Sequence, residues 1–490
     1  MQVAEAVEYA DLRPSLDRWN EGPGRLNRRL ASALRRAIDA GDLAAGTRLP
    51  PERALADSLG ISRTTVVGAY GALERDGLLE RRQGSGTRVR GGSAMGSDDE
   101  RETSRLASKL LVSHDGAGDT IALLSAYVVG EAGIPLEATE GLGRDLVGLS
   151  REHGYSPLGY PPLRRAIAQY YTELGLPTSD EQILVTHGAQ HAIALIAAAS
   201  IRPGDLVVIE DPTYHGAIDT FSTAGARFAP ISTDRWGASV DGLRERFENQ
   251  APRLAYLMPT YHNPVGGVMP ESRRRDVARL AETTQITVVE DHTISWLALD
   301  GDPPPPIATY GPDAPILTIA SLSKLFWAGL RVGWVRGPRA TIAELGRVRV
   351  SQDLGGSLPA QVLAARLFGY VKPMHARRRV ELCERLDAMG AALAEHLPSW
   401  RWDRPRGGPN IWAHLPMGSA QAFVQVAARH GVDLASGAAM SPRAGFDDHI
   451  RLPFGGHEPA VLREAVQRIA RAWDIYAPSA NVPQRTSVLV

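Results

Sequence analysis

Lysine is nearly missing from this chain: only Lys109, Lys324 and Lys372 occur in 490 residues, against 51 arginines. Cysteine is scarcer still. Cys383 stands alone in a helix-like stretch, so no internal disulfide can form, which fits a reducing compartment. No apolar run is long enough to span a bilayer, and no charged-then-apolar leader is found. These absences argue against a disulfide-stapled secreted domain and a membrane-spanning helix, and a cytoplasmic protein is expected. Net charge is almost absent too, at a formal −1, but it is unevenly spread. Residues 21–90 carry 13 arginines against eight acids, a balance of +5, and leave the remainder negative. A basic module on an acidic body points to a nucleic-acid contact at one end. Ordinary hydrophobic (43%) and charged (22%) contents over this length allow two or three domains with a large core.

Residues 1–20 are polar and aperiodic and read as a loose lead-in. From Arg25 to Ala40, Leu26, Leu30, Leu34, Ala37 and Ile38 recur at helical spacing, and Gly41 stops the helix. A second helix is expected from Pro51 to Leu59, ending at Gly60, and Ser62 suits the N-cap of a third reaching Arg75. Leu78 to Val89 reads as a hairpin turning at Gln83-Gly84-Ser85-Gly86. On the third helix Val66, Tyr70 and Leu73 share one face, which turns Arg63, Thr64 and Val67 outward. This is a winged helix-turn-helix. Arg63 suits a guanine edge, and the hydroxyls of Ser62, Thr64 and Thr65 suit phosphate or bases. Arg53, Arg81 and Arg82 are expected to position the module on phosphates, beside the wing residues Gly84, Ser85 and Gly86.

Residues 91–118 are rich in Gly, Ser, Asp and Glu without periodicity and read as a linker, with a reach of roughly 30 Å if flexible. Helices then alternate with short apolar runs at Ile183–Val185, Leu206–Ile209, Leu254–Met258, Ile286–Val289, Ile316–Ala320 and Val332–Val335. That alternation predicts a mostly parallel, doubly wound α/β sheet over residues 119–373. A smaller α+β subdomain is expected over 374–476, opening with a helix, and residues 477–490 form a tail.

Polar motifs follow several of these runs, at strand ends where such sheets place ligands. Lys324 stands in Ser321-Leu322-Ser323-Lys324, with Arg331 seven residues on. A lysine kept where arginine is the default suits imine formation, which needs an amine able to lose its proton. The hydroxyls before it and the arginine after it suit a phosphate, and the combination points to pyridoxal 5′-phosphate. Thr186-His187-Gly188-Ala189-Gln190 follows a strand and opens a helix whose N-terminus offers backbone donors to the same group. Asp211-Pro212-Thr213-Tyr214, Tyr261-His262-Asn263-Pro264, Glu290-Asp291 and His449-Ile450-Arg451 complete the set. No metal-ligating set is expected.

Two resemblances follow. Leu49-Pro50-Pro51-Glu52-Arg53-Ala54-Leu55-Ala56, Leu59-Gly60-Ile61-Ser62-Arg63-Thr64-Thr65-Val66, Ala69-Tyr70 and Gly84-Ser85-Gly86-Thr87 resemble the winged-helix signature of GntR-type repressors. Residues 120–475 resemble fold-type I (class I/II) aminotransferases. That second likeness implies that Lys324 carries the cofactor as a Schiff base. It implies that Gly188, Ala189, Gln190, Ser321, Ser323 and Arg331 hold the phosphate, and that Tyr214 stacks on the ring. Asn263 would donate to the phenolic oxygen, Asp291 would pair with the pyridine nitrogen, and Arg451 would clamp a substrate or effector carboxylate. Tyr155 would reach the phosphate of the partner subunit in a homodimer.

One departure stands out: the family's tyrosine two or three residues after the ring aspartate is replaced by Thr293 and Ile294. Together the two modules are similar to MocR/GabR-type transcription regulators. The resemblance implies a dimeric regulator of double-stranded DNA that senses an amine, an amino acid or pyridoxal phosphate itself. An active aminotransferase with a vestigial DNA module is the alternative. Intact Arg63, Ser62 and wing glycines argue against it, as does the missing tyrosine.

Overall fold

The computed structural model describes residues 26–40, 47–75, 78–82, 86–89, 119–130 and 133–480, together with Trp19 and Leu43. The expected linker over 91–118, the turn residues Gln83, Gly84 and Ser85 and the side chains of Arg81 and Arg82 lie outside the described residues.

The N-terminal module is built from three helices, α1 (Leu26–Ala40), α2 (Glu52–Leu59) and α3 (Arg63–Arg75), and an antiparallel pair, β1 (Leu79–Arg82) and β2 (Gly86–Val89). Leu30, Leu34, Ile38, Leu55, Val66, Tyr70 and Leu73 bury completely in its core, as the helical spacing requires. Tyr70 reaches the Pro50 carbonyl at 2.9 Å, which satisfies its buried hydroxyl. Gly60 ends α2 in the left-handed region (φ 64°), where a side chain would be strained, and so makes the tight turn into α3. Ser62 accepts from the Thr65 N–H at 3.2 Å as the expected cap. The wing is wider than the hairpin alone: Leu49 N–H donates to Thr87 and Val89 N–H to Thr47, which adds residues 47–49 to its edge.

In the body, β3 (Ile121–Leu123) comes first, followed by β4 (Ile183–Thr186), β5 (Leu206–Asp211), β6 (Arg227–Asp234), β7 (Gly237–Ala238) and β8 (Leu254–Leu257). β9 (Thr287–Asp291), β10 (Ile316–Ser321) and β11 (Gly333–Arg336) complete the large sheet, whose order is β4-β11-β10-β9-β8-β5-β6-β7. β5, β6, β8, β9 and β10 run parallel, whereas β11 is antiparallel to both neighbours. Helices cover both faces, so β4, β8 and β11 are buried at every residue and read as continuous apolar runs. β6 and β7 do not appear among the apolar runs of the sequence. β6 alternates buried and exposed positions near the sheet edge and carries Pro230.

The smaller sheet has the order β12-β13-β15-β14-β3, with β12 (Arg401–Trp402), β13 (Asn410–His414), β14 (Val432–Ser436) and β15 (His449–Pro453). β3 pairs parallel with β14, Val432 opposite Ile121. Residues 121–123 therefore belong to the small subdomain, not to the large domain as the boundary at 119 implies. A three-residue strand has too little pattern to announce its distant partner. The long helix over Val371–His396 begins three residues before the expected boundary at Met374, and the last helix, Pro459–Ala480, runs into the expected tail. Among the described residues no helix is long and apolar enough to cross a membrane.

Candidate functional site

One cavity opens at the carboxyl ends of the parallel strands, between the large sheet and the small subdomain. Gly188, Ala189, Gln190, Tyr214, Asn263 and Asp291 line it from one side, and Ser321, Ser323, Lys324, Arg331 and Arg451 from the others. Of the residues expected around a cofactor, Tyr155 alone is elsewhere. It is 63% exposed on the outer surface and stacks on His153.

The anion-binding corner is assembled by three strand ends. α4 (Ala189–Ser200) starts at the end of β4, with Gly188 as its N-cap at φ 84°. A Cβ at Gly188 would stand 3.3 Å from Arg331 Nη2, and one at Gly333 would stand 2.7 Å from the Gly188 backbone. Both glycines are needed for β11 to approach so closely. Ser321 Oγ donates to the Val332 carbonyl at 2.8 Å and accepts from the Ser323 N–H at 3.1 Å, which folds the turn carrying Lys324. Arg331 donates to the His187 carbonyl at 3.0 Å and stays exposed at the rim. A helix N-terminus, two hydroxyls and a guanidinium so arranged suit a phosphate.

Beyond that corner lie a flat aromatic, a carboxylate and an amine. Tyr214 caps α5 (His215–Thr223), and its hydroxyl donates to Gln190 Oε1 at 2.9 Å. Burial, then the nearby Asp291, push that phenol up to about 12, so it stays protonated. The Gln190 amide donates in turn to Gly216 and Thr220, so this side chain aims the tyrosine and only its backbone remains for an anion. Asp291, at the end of β9, accepts from the Tyr256 hydroxyl at 2.7 Å and from the Thr293 N–H at 2.8 Å. Thr293 thus steadies the aspartate, while Ile294 presents hydrocarbon to the cavity. Asn263 Oδ1 accepts from Asn410 at 3.3 Å, which leaves its NH₂ as a donor.

Lys324 Nζ donates to the Ala126 carbonyl at 2.8 Å. Burial, reinforced by the positive charges of Arg451 and Arg331 and opposed by Asp291, lowers this amine to about 8. A useful fraction is therefore unprotonated near neutrality, as nucleophilic attack on a carbonyl requires. Arg451, on β15, is 1% exposed. Its Nη2 donates to the Leu124 carbonyl, Nη1 faces only the Met440 thioether, and Nε has no partner. A buried guanidinium with donors unmet is poised for an anionic ligand. The residues present therefore fit a ring bearing a phosphate, a basic nitrogen, a phenolic oxygen and a carbonyl carbon.

At the rim, His187, His191 and Asp353 bring three possible metal-ligand atoms within 4.8 Å of one another. Asp353 pairs with Arg349 at 2.9 Å and meets His187 Nε2 at 3.0 Å, and His191 Nδ1 accepts from the His187 N–H. Sequence reasoning missed Tyr256, Asn410, His215 and the loop 124–126. Tyr256 hides inside an apolar strand, and the others lie in no motif.

On the N-terminal module, Arg53, Ser62, Arg63 and Thr64 are exposed, as is Gly86. Thr65 is half-buried, its hydroxyl 2.8 Å from Ser62 Oγ. Arg63 meets Glu52 at 3.4 Å with its side chain still 67% exposed, and Val67 stands outward beside it.

This fold and cavity are those of a fold-type I aminotransferase domain joined to a winged helix. The chain belongs to the class I and II aminotransferase family, whose pattern matches residues 144–469, and residues 26–89 match the gntR family of bacterial regulatory proteins. Its architecture is that of MocR-type transcriptional regulators. It is 28% identical to the probable rhizopine catabolism regulatory protein MocR of Rhizobium meliloti, over 96% of this chain and 97% of that one. It is also 28% identical to an uncharacterized HTH-type transcriptional regulator, YdfD, of Bacillus subtilis, over 87% of this chain and 92% of the relative. Among solved structures it resembles LysN, the alpha-aminoadipate aminotransferase of Thermus thermophilus, seen with N-(5′-phosphopyridoxyl)-L-leucine. That likeness has a TM-score of 0.68 at 27% identity, covering 75% of this chain and 94% of that one.

Proposed function

We propose that this chain is a homodimeric regulator that binds double-stranded DNA through residues 21–90 and holds pyridoxal phosphate on Lys324. The ligand it senses is an amine, an amino acid or the cofactor itself. One observation carries the reading: the lowered amine of Lys324, the braced Asp291 and the half-satisfied Arg451 meet in one cavity, on a chain whose recognition helix keeps Arg63 and Val67 exposed.

When bound, pyridoxal phosphate supplies an electron-withdrawing ring and a carbon open to amines. The chain's own residues do the rest. Gly188, Ala189, Ser321, Ser323 and Arg331 would hold the phosphate, and Tyr214, aimed by Gln190, would stack on the ring. Asp291 keeps the ring nitrogen protonated, Asn263 donates to the phenolic oxygen, and Arg451 takes a ligand carboxylate. With Thr293 and Ile294 where the family has a tyrosine, the phenolic oxygen would lose one donor, which favours sensing over turnover.

Support for the dimer comes from unpartnered apolar surface. The helix Leu142–Leu149 buries none of its residues, and Leu136, Val147, Tyr155, Trp327 and Leu354 stand exposed. The Ser156–Gly355 bridge brings Tyr155 and Leu354 to one edge. Exposed apolar groups of this kind fit a subunit interface, at which Tyr155 would reach the partner's phosphate.

The test pairs an ultraviolet–visible titration of the purified protein with DNA-binding measurements at each ligand concentration. A visible band that shifts with ligand, together with altered DNA affinity, is expected. Turnover of amino acids with 2-oxo acids should stay well below the order of 1 per second of ordinary enzymes. Transamination at that rate, with DNA binding indifferent to substrate, would overturn the regulator in favour of an enzyme.

A further inference from the structure

One ionisable side chain faces the cavity without a part in the scheme above. His215 opens α5 directly after Tyr214, whose ring it meets edge-on at 4.9 Å. It is 8% exposed, Nδ1 is buried without a partner, and none of the described residues hydrogen-bonds the imidazole. Buried polar groups nearly always have partners, so a ring left unmet beside a ligand cavity marks a contact that the ligand completes. Burial, then the positive charges of Arg451 and Lys324, hold the imidazole down at about 3. It is therefore neutral at physiological pH, with one N–H to donate and one lone pair to accept.

The rest of that wall decides what the ring can meet. Leu124, Ala126, Met258 and Ile294 are apolar, Ser125, Asn263, Thr293 and Asn410 are neutral and polar, and Asp291 is the one carboxylate among the described lining residues. Asp291 is already bonded to Tyr256 and Thr293. A ligand side chain ending in an ammonium would find the cations Lys324, Arg331 and Arg451 and no free acid. A hydrocarbon would leave the imidazole unpaired. An oxygen satisfies it.

We propose that His215 is the effector-selecting residue of this cavity, hydrogen-bonding the oxygen of a hydroxyl, carboxamide or carboxylate side chain on a 2-amino acid whose own carboxylate Arg451 holds. This rests on the ligand-sensing reading of Lys324 and Arg451, and the test separates the two. Leucine and asparagine have nearly the same shape and differ in the hydrogen-bonding ends of their side chains. The pyridoxal phosphate-loaded protein is titrated spectroscopically with asparagine, aspartate, serine, leucine and lysine. Among the three oxygen-bearing ligands the tightest identifies the group preferred. Asparagine should bind at least about tenfold tighter than leucine, with lysine weakest, since a site that hydrogen-bonds its ligand rejects one lacking the group. His215→Leu should erase the asparagine–leucine ratio and leave leucine binding unchanged or tighter, while His215→Gln should retain most of the preference. An unchanged ratio in His215→Leu overturns the assignment. If that variant fails to hold the cofactor, the wild-type ratio decides: leucine equal to or tighter than asparagine refutes it. If none of the five shifts the wild-type spectrum, the amino-acid reading itself falls.

Discussion

Lys324 Nζ donates to the carbonyl of Ala126, and two residues earlier the Leu124 carbonyl accepts from Arg451. The amine and the guanidinium expected to meet a ligand therefore grip one short segment, the continuation of β3 from the small sheet. A carbonyl ligand that takes the Lys324 amine would remove its hydrogen bond to that segment, whereas Arg451 has donors to spare beside its bond to Leu124. Under the sensing proposal, ligand capture and the position of the segment would be linked, and a difference in affinity between two arrangements is all a switch requires.

Lys324→Ala should abolish cofactor retention. The wild-type protein should be yellow, lose its colour on borohydride reduction and carry a pyridoxyl group at Lys324 by mass spectrometry. Cofactor that stays fixed by borohydride in the variant would remove the assignment.

The rate of cofactor uptake should follow the Lys324 amine. With the amine lowered to about 8, it is mostly protonated at pH 7 and mostly free at pH 9. Uptake by the apoprotein should rise about tenfold across that interval and level off above it, whereas an ordinary lysine would give about a hundredfold with no plateau. Stopped-flow absorbance over pH 6.5–9.5 (about three decades of proton activity) distinguishes the two.

Arg63→Ala should weaken binding to the cognate site by about 1–3 kcal/mol and relax base preference. Its exposed contact with Glu52 contributes little to folding, so the melting temperature should barely move. Binding should also fall steeply with salt, as phosphate contacts release counterions. An unchanged preference between cognate and random DNA counts against base reading by this residue.

Tyr256→Phe removes the buried hydroxyl that donates to Asp291 at 2.7 Å. Hydrogen bonds to charged groups contribute about 1.5–3 kcal/mol, so thermal unfolding should shift downward by a comparable free energy. The cofactor's absorbance maximum should move as well, because the carboxylate proposed to face the ring nitrogen loses a restraint. A melting curve and spectrum identical to wild type would show that Asp291 is held by Thr293 alone.

The winged helix was legible because its information is local. Val66, Tyr70 and Leu73 recur at the helical period and bury, so Arg63 and Val67 have only the outer face left. The large sheet was legible for a related reason: strands buried on both faces must be apolar throughout, and each run from Ile183 to Val335 became a strand. Where a strand is not a continuous apolar run, that reading misses it, as at the half-exposed β6 and at β3, three residues long.

By itself, then, the sequence determined the kinds of element, the two modules and the residue types that line one cavity, since short motifs at strand ends carry those locally. Tertiary structure alone decided which segments meet: β3 with β14, Ala126 with Lys324, Leu124 with Arg451, Asn410 with Asn263 and Tyr256 with Asp291. It also decided the lowering of the Lys324 amine and the unmet ring of His215, because desolvation and partnership depend on what distant parts of the chain fold against a group.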